Sequence, residues 1–233
     1  MAEVSQRPWE AAYSKGVGIV ERPAFLTYLA AEMMKRETLK SVLDIGCAAG
    51  RNSVFLAREG FDVVGIEPQS TILEVARSKV SDEGAKPRLL LGDLVDLPFK
   101  ESSFDAVLCL YVLMFLPVVK LATCVRNIFQ VLRDSGMAFF AFYSPEDASF
   151  EMGECLHENT IRWDRRMGPW AGIEAHYFTH EEILHLFNTV EILSLHLVTQ
   201  RETHDGVPHV HRFWQVICRK DSTTCTPVKE RTG

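Results

Sequence analysis

The stretch "LDIGCAAGR", residues 43–51, decides how this chain is read. An apolar run ending in glycine reads as a buried strand, and the small residues after it as a turn into a helix. Loops of that kind bind nucleotides, because glycines let the backbone approach the ligand. The spacing here is G-x-A-x-G, from Gly46 through Ala48 to Gly50. A dinucleotide loop runs G-x-G-x-x-G, so this one departs from it. Asp44 stands two residues before Gly46. A carboxylate there repels a pyrophosphate and suits a ligand that carries an ammonium group.

Outward from the loop, strands and helices alternate. "SVLDIG" reads as a strand and "RNSVFLAREG" as a helix stopped by Gly60. "FDVVGIE" is a second strand, followed by the helix "STILEVARSKVSDEG" with Thr71 and Glu74 at capping-box spacing. "RLLLGD" and "FDAVLCLY" are the third and fourth strands. A helix then runs from beyond Pro117 to about Leu132, Gly136 breaks it, and "MAFFAFY" is a fifth strand. These strands are continuous apolar runs, the pattern of strands covered on both faces. Thr179 and Glu182 in "THEE" form another capping box, opening a helix through Phe187. "VEILSLHLVTQRE" and "HVHRFWQVICRK" flank a short turn around Asp205 and Gly206, which forces an antiparallel hairpin. The fold expected is α/β: a doubly wound, mostly parallel, seven-stranded, Rossmann-like sheet with a C-terminal hairpin. Upstream, "RPAFLTYLAAEMMKRE" predicts a helix with Pro23 in its first turn and Phe25, Leu26, Leu29 and Met33 on its apolar face.

The 233 residues, 47% of them hydrophobic, suffice for one sizeable core. One domain is expected over residues 1–220. Residues 1–38 supply an N-terminal lid and helix, 145–178 a substrate cap, and 221–233 a disordered tail. A net charge of −6 without a basic stripe argues against nucleic acid, since few phosphates could be neutralised. Six cysteines, at 47, 109, 124, 155, 218 and 225, contain no C-x-x-C and read as reduced, mostly buried thiols. "MAEVSQRPWE" has no apolar core for a signal peptide, and no stretch reaches the ~18 apolar residues of a membrane span. The expectation is a cytoplasmic monomer or homodimer without a membrane partner.

Asp44 with the glycine loop resembles the first motif of class I S-adenosylmethionine (SAM) methyltransferases, D-x-G-x-G-x-G, departing from it at Ala48. Glu67 ends the second strand 23 residues after Asp44, where an acidic residue accepts hydrogen bonds from two ribose hydroxyls. Gly92, Asp93 and Leu94 follow the third strand, where the family's Asp typically receives the adenine amino group. "DLPFKESSFDAVLCLYVL" matches the family's fourth-strand segment. "GCAAGRNSVFLA" and "YVLMFLP" are similar to the tellurite-resistance and thiopurine-methyltransferase-like small-molecule enzymes, over roughly residues 40–135. The resemblance implies SAM as cofactor and S-adenosylhomocysteine as product. It implies a cofactor site drawn from Tyr13, Asp44, Gly46, Cys47, Ala48, Gly50, Arg51, Asn52, Glu67, Pro68, Gln69, Gly92, Asp93, Leu94 and Leu110. The activity implied is methyl transfer to O, N or S of a small anionic or polar molecule. A non-catalytic SAM-binding regulator or scaffold, and a methyltransferase of RNA or protein, are the alternatives. The acidic balance and the lack of an N-P-P-Y-type tetrapeptide count against the RNA or protein enzyme.

The acceptor side is written less plainly. Methyl transfer needs alignment, desolvation and sometimes proton removal, and no fixed triad. In the long insertion, residues 145–176, "TIRWDRRMGPWAGIEAHYF" gathers Arg162, Trp163, Arg165, Arg166 and Trp170. They read either as a solvated helix with two aromatic anchors or as an aromatic wall with an arginine fork for an oxyanion. His209, His211 and Phe213 share one face of the last strand, and Arg212 lies on the other. His176, His209 and His211 are the candidate general bases or substrate partners. No Cys or carboxylate stands at ligand spacing, so no metal is expected. Trp9, Tyr111, Met114, Tyr143, Tyr177 and Arg212 complete the expected acceptor site, with Trp9 and Tyr13 in a segment that closes over the cofactor.

Overall fold

The computed structural model describes residues 9, 13, 22–83, 87–204 and 207–221. β1 (Ser41–Ile45), β2 (Asp62–Glu67), β3 (Arg88–Leu91), β4 (Phe104–Leu110) and β5 (Leu132–Tyr143) join β9 (Glu191–His204) and β10 (Val207–Arg219) in one sheet of order β3-β2-β1-β4-β5-β10-β9. The first five strands are parallel, β10 runs antiparallel to β5, and β9 antiparallel to β10. This is the expected doubly wound sheet with its terminal hairpin. The turn at 205–206 and the tail from 222 onward lie outside the described residues. The order reverses between β1 and β4, and such a reversal opens a crevice at the carboxyl ends of the strands.

Both faces of the sheet are covered, as the unbroken apolar strands require. On β5, Phe140 and Phe142 join one core cluster, while Phe139 and Ala141 join the cluster on the other face. The second cluster is closed by α1 (Phe25–Arg36), whose buried residues are Leu26, Thr27, Ala30, Ala31 and Met34. The apolar face expected from periodicity was different: Phe25 and Leu29 are exposed. Small residues win the inward positions because they let the helix axis approach the sheet. Helix α2 (Arg51–Arg58) follows the glycine loop. The next helix, α3 (Ser70–Glu83), starts at Ser70, so Thr71 sits inside its first turn and not at its cap.

The helix α4 (Val118–Val131) passes directly into β5 at Leu132. Gly136 therefore lies inside a strand and does not separate the two elements. A β-carbon there would come within 2.8 Å of the Arg133 and Asp105 carbonyl oxygens, so the irregular pairing at this end of β5 leaves room for glycine only. The capping box at α5 (His180–Leu186) is present, with Thr179 and Glu182 bonded reciprocally.

The insertion after β5 is a small antiparallel sheet, not a helix. β6 (Gly153–His157), β7 (Thr160–Trp163) and β8 (Glu174–His176) form it in that order, with a 3-10 turn over Arg165–Trp170. Its inward side chains Ile161, Trp163, Ala175 and Tyr177 belong to the same core cluster as β4 and β5. The cap is thereby fixed against the end of the parallel sheet.

Candidate active site

The loop between β1 and α2 turns through three positive φ angles, 64° at Gly46, 48° at Ala48 and 83° at Gly50. A β-carbon on Gly46 would lie 2.5 Å from a Val112 methyl, so the loop passes too close to the end of β4 for any side chain. Ala48 holds a left-handed conformation that costs an L-residue about 1 kcal/mol. Beneath the loop, Asp44 is 1% exposed and accepts a hydrogen bond of 2.6 Å from Ser53 Oγ. Its burial pushes the carboxyl up to about 6. Glu67, 6% exposed at the end of β2, accepts from the Ala48 amide at 3.2 Å and the Gln69 amide at 3.1 Å. Burial outweighs those bonds and pushes Glu67 up to about 7, with Asp44 and Asp93 adding to the rise.

Tyr13 comes close enough to feel the charges of Glu67 and Arg51, and burial pushes its phenol up to about 12. Gln69 is buried and its Oε1 has no partner among the described residues. Asp93, exposed, uses Oδ1 to accept from the Val95 amide. This edge of the crevice presents acceptors and buried carboxyls. Such a lining fits a nucleoside with donor hydroxyls and a positive group, and disfavours phosphates.

Other expected cofactor residues are engaged differently. Asn52 turns away from the loop mouth: its Oδ1 accepts from the Ala24 amide and from Thr27 Oγ1, tying α1 to α2. The Cys47 thiol packs under the loop against Leu73, Ala76 and Leu89, and burial raises its pKa. Leu94 and Leu110 are core side chains. The Arg51 guanidinium reaches the Arg22 carbonyl at 3.5 Å, Pro68 is exposed, and Gly92 packs over Ile66.

Aromatic rings line the neighbouring strand ends. Tyr111, at φ 60° just past β4, lies 6.0 Å from the Tyr143 ring at the end of β5. The Tyr143 ring is stacked with Tyr177 at 5.8 Å and with His211 at 6.1 Å. Trp9 meets Phe115 at 4.8 Å and Trp170 of the insertion at 5.1 Å. Trp163 Nε1 donates to the Tyr177 hydroxyl at 2.8 Å, and that hydroxyl lies 2.8 Å from Ser149 Oγ. Ser149 in turn donates its amide and hydroxyl to Asp147 Oδ1. Asp147 Oδ2 accepts from the Arg212 amide and lies 3.2 Å from His211 Nδ1. Asp147 is 2% exposed; burial alone would raise its pKa, but bonds from His211, Ser149 and Arg212 together bring it below the usual value. Asp147, Ser149, Phe115 and Phe150 were not legible as site residues. "SPEDAS" reads as an ordinary turn, and its partner His211 lies 64 residues away.

The other residues expected on the acceptor side are engaged as follows. Arg162 pairs with Glu174 at 2.7 Å and Glu154 at 3.6 Å on the outer face of the cap. Arg166 pairs with Asp164, Arg212 with Glu146, and Arg165 is exposed, so these arginines turn to solvent and not inward as a fork. His176 is buried with Nδ1 on Thr160 Oγ1 and Nε2 on Glu182 Oε1; both nitrogens are spent on joining β8, β7 and α5. Met114 is 1% exposed and belongs to the core. The His209 side chain lies outside what is described, although its backbone pairs with Glu202.

Residues 42–136 match the family described as "Methyltransferase domain". This part of the chain is a methyltransferase domain. SAM is the cofactor of this domain. Methyltransferase GfsG of Streptomyces halstedii is 35% identical over 98 residues, 41% of this chain and 34% of that protein. The tRNA N(3)-methylcytidine methyltransferase Mettl2 of Drosophila melanogaster is 22% identical over 174 residues, 70% of this chain and 51% of that one. The chain thus spans only about a third to a half of these relatives' length. Among solved structures, TehB of Haemophilus influenzae superposes with a TM-score of 0.67 at 17% identity, covering 91% of this chain and 67% of TehB. The 1,6-didemethyltoxoflavin-N1-methyltransferase of Burkholderia thailandensis, bound to 1,6-didemethyltoxoflavin and S-adenosylhomocysteine, superposes with 0.69 at 16% identity, covering 94% and 88%. Both likenesses are of fold. Among the described residues, no helix of the methyltransferase domain is long and apolar enough to cross a membrane.

Proposed function

We propose that this chain transfers the methyl group of SAM to an O, N or S atom of a small polar molecule, bound under the cap at the ends of β4 and β5. The observation that carries the reading is the Glu67 carboxylate. It is buried at the end of β2, steadied by two loop amides and raised by its surroundings, so it gains from donors that a ribose would bring. The unpartnered Gln69 Oε1 and the nearby Asp44 support a ligand with donors and a positive centre.

In this reading Glu67 and the Gln69 amide side hold the ribose, the loop amides around Ala48 hold the rest of the nucleoside, and Asp93 faces the adenine. SAM, when bound, supplies an electrophilic methyl on a sulfonium. The chain's own share is to orient the acceptor and exclude water. Tyr13 over Glu67 and Trp9 against Phe115 and Trp170 suit that second task. The four arginines, each turned to solvent, give no support to an anion fork, so the polar group of the acceptor is read as neutral. The similarity to a tRNA methyltransferase leaves room for an RNA acceptor, but the net charge of −6 weighs against it.

Calorimetry with S-adenosylhomocysteine tests the reading. Glu67→Ala is expected to weaken binding about tenfold to a hundredfold, the loss of roughly 2 to 3 kcal/mol from charge-assisted bonds. Equal dissociation constants for wild type and variant would remove Glu67 from the site.

A further inference from the structure

Resting on the SAM-binding reading above, we propose that Trp170 of the insertion is a latch on the cofactor site. It holds Tyr13 beside Glu67, so the insertion sets how fast the nucleoside enters and leaves. Trp170 acts through Tyr13 and is a positioning residue.

Residues far apart in the chain meet at one group of rings. Trp9 and Trp170 lie 5.1 Å apart at an interplanar angle of 58°, Tyr13 and Trp170 6.2 Å apart at 76°, and Trp9 and Tyr13 6.3 Å apart. Trp9 also meets Phe115, past the end of β4, edge-on at 4.8 Å, and Phe115 meets Trp163 of β7 at 5.9 Å. Tyr13 joins this group to the cofactor residues, because its phenol stands within the charges of Glu67, Arg51 and Cys47. Among the described residues, no hydrogen bond holds the Tyr13 hydroxyl. Its position beside Glu67 therefore depends on its ring contacts, and Trp170 is the one of them that the insertion supplies.

The insertion presents Trp170 on a braced turn. Gly168, at φ 56° and ψ −121°, takes a conformation that a side chain would strain, and Pro169 fixes the φ that follows. The Met167 amide donates to the Asp164 carbonyl at 3.0 Å, and the Gly172 amide to the Trp163 carbonyl at 2.7 Å. Arg166 braces the middle of the turn, donating from Nη2 to the Glu151 carbonyl at 2.7 Å. Trp170 thus stands on a support tied to β7. A nucleoside on Glu67 shares its surroundings with the Tyr13 ring, so its passage displaces that ring and breaks the contact with Trp170. One ring pair of this kind is worth about twofold to tenfold in an equilibrium, and Trp170 makes two. Entry and exit are slowed alike, because the same contacts part in both directions.

Surface plasmon resonance of S-adenosylhomocysteine over the immobilised full chain reads entry and exit separately. W170A is expected to speed both about tenfold and so to leave the dissociation constant within about threefold of wild type. W170F keeps a ring, and both its rates are expected within about threefold of wild type. W9A removes a ring from Trp170 and leaves the insertion intact. It is expected to shift both rates in the same direction, and it decides the matter if W170A does not fold. Entry and exit in W170A within about threefold of wild type overturn the proposal. Faster exit with unchanged or slower entry also overturns it, since a damaged binding surface behaves that way and a latch does not. A wild type that binds no S-adenosylhomocysteine overturns the cofactor reading and the latch with it. A wild type that binds, beside variants with unchanged rates, overturns the latch alone.

Discussion

One β-carbon separates the loop at 46–50 from an all-glycine pattern, and it sits where the backbone is left-handed, φ 48° at Ala48. Ala48→Gly should relieve that conformation and raise stability by up to about 1 kcal/mol, less what glycine adds to unfolded-chain entropy. Denaturant unfolding checks it, and a clear loss of stability would mean that the methyl packs usefully. Asp44, Glu67 and the loop were legible because their chemistry lies in one short stretch and one strand end. Asp147 was not, since its meaning comes from a histidine on a distant strand. The arginines misled for a related reason: sequence shows a cluster of charge but not its direction, and Glu174, Asp164 and Glu146 hold the heads outward.

At the scale of elements, the cap is the part that periodicity missed. Strands of four or five residues with one inward face give too few repeats to separate sheet from helix. His176 is the pin of that cap. Burial lowers its pKa despite Glu182, so the fold holds it neutral. His176→Ala should cost about 2 kcal/mol through two lost hydrogen bonds and the edge contact with Phe178, while S-adenosylhomocysteine affinity stays at the wild-type level. Thermal unfolding beside calorimetry separates the two effects. A variant of native stability that lost turnover would return His176 to the catalytic list. The inward face of α1 was misread because Ala30 and Ala31 carry little hydrophobic signal, yet permit close packing.

For the whole molecule, the doubly wound sheet was legible because every strand had to be buried on both faces and so wrote itself as an apolar run. The buried carboxyls set a pH signature for the same molecule. Asp44 rises from 3.8 to about 6 and Glu67 from 4.5 to about 7. The folded chain therefore holds protons that the unfolded chain has released, and stability falls as pH rises from about 4 to about 7. S-adenosylhomocysteine should offset part of that loss, because ribose donors favour the charged Glu67. Thermal unfolding across this window, with and without the nucleoside, checks the sign. A midpoint contributed by Glu67→Gln with unchanged pH dependence would assign the effect elsewhere.

The most direct test of the central claim is a crystal structure of the chain grown with S-adenosylhomocysteine. The account places the ribose hydroxyls on the Glu67 carboxylate, the nucleoside along the 46–50 loop, and the sulfur facing Tyr111 and Tyr143. Density for the nucleoside elsewhere on the molecule, or a ribose that leaves Glu67 untouched, would contradict it.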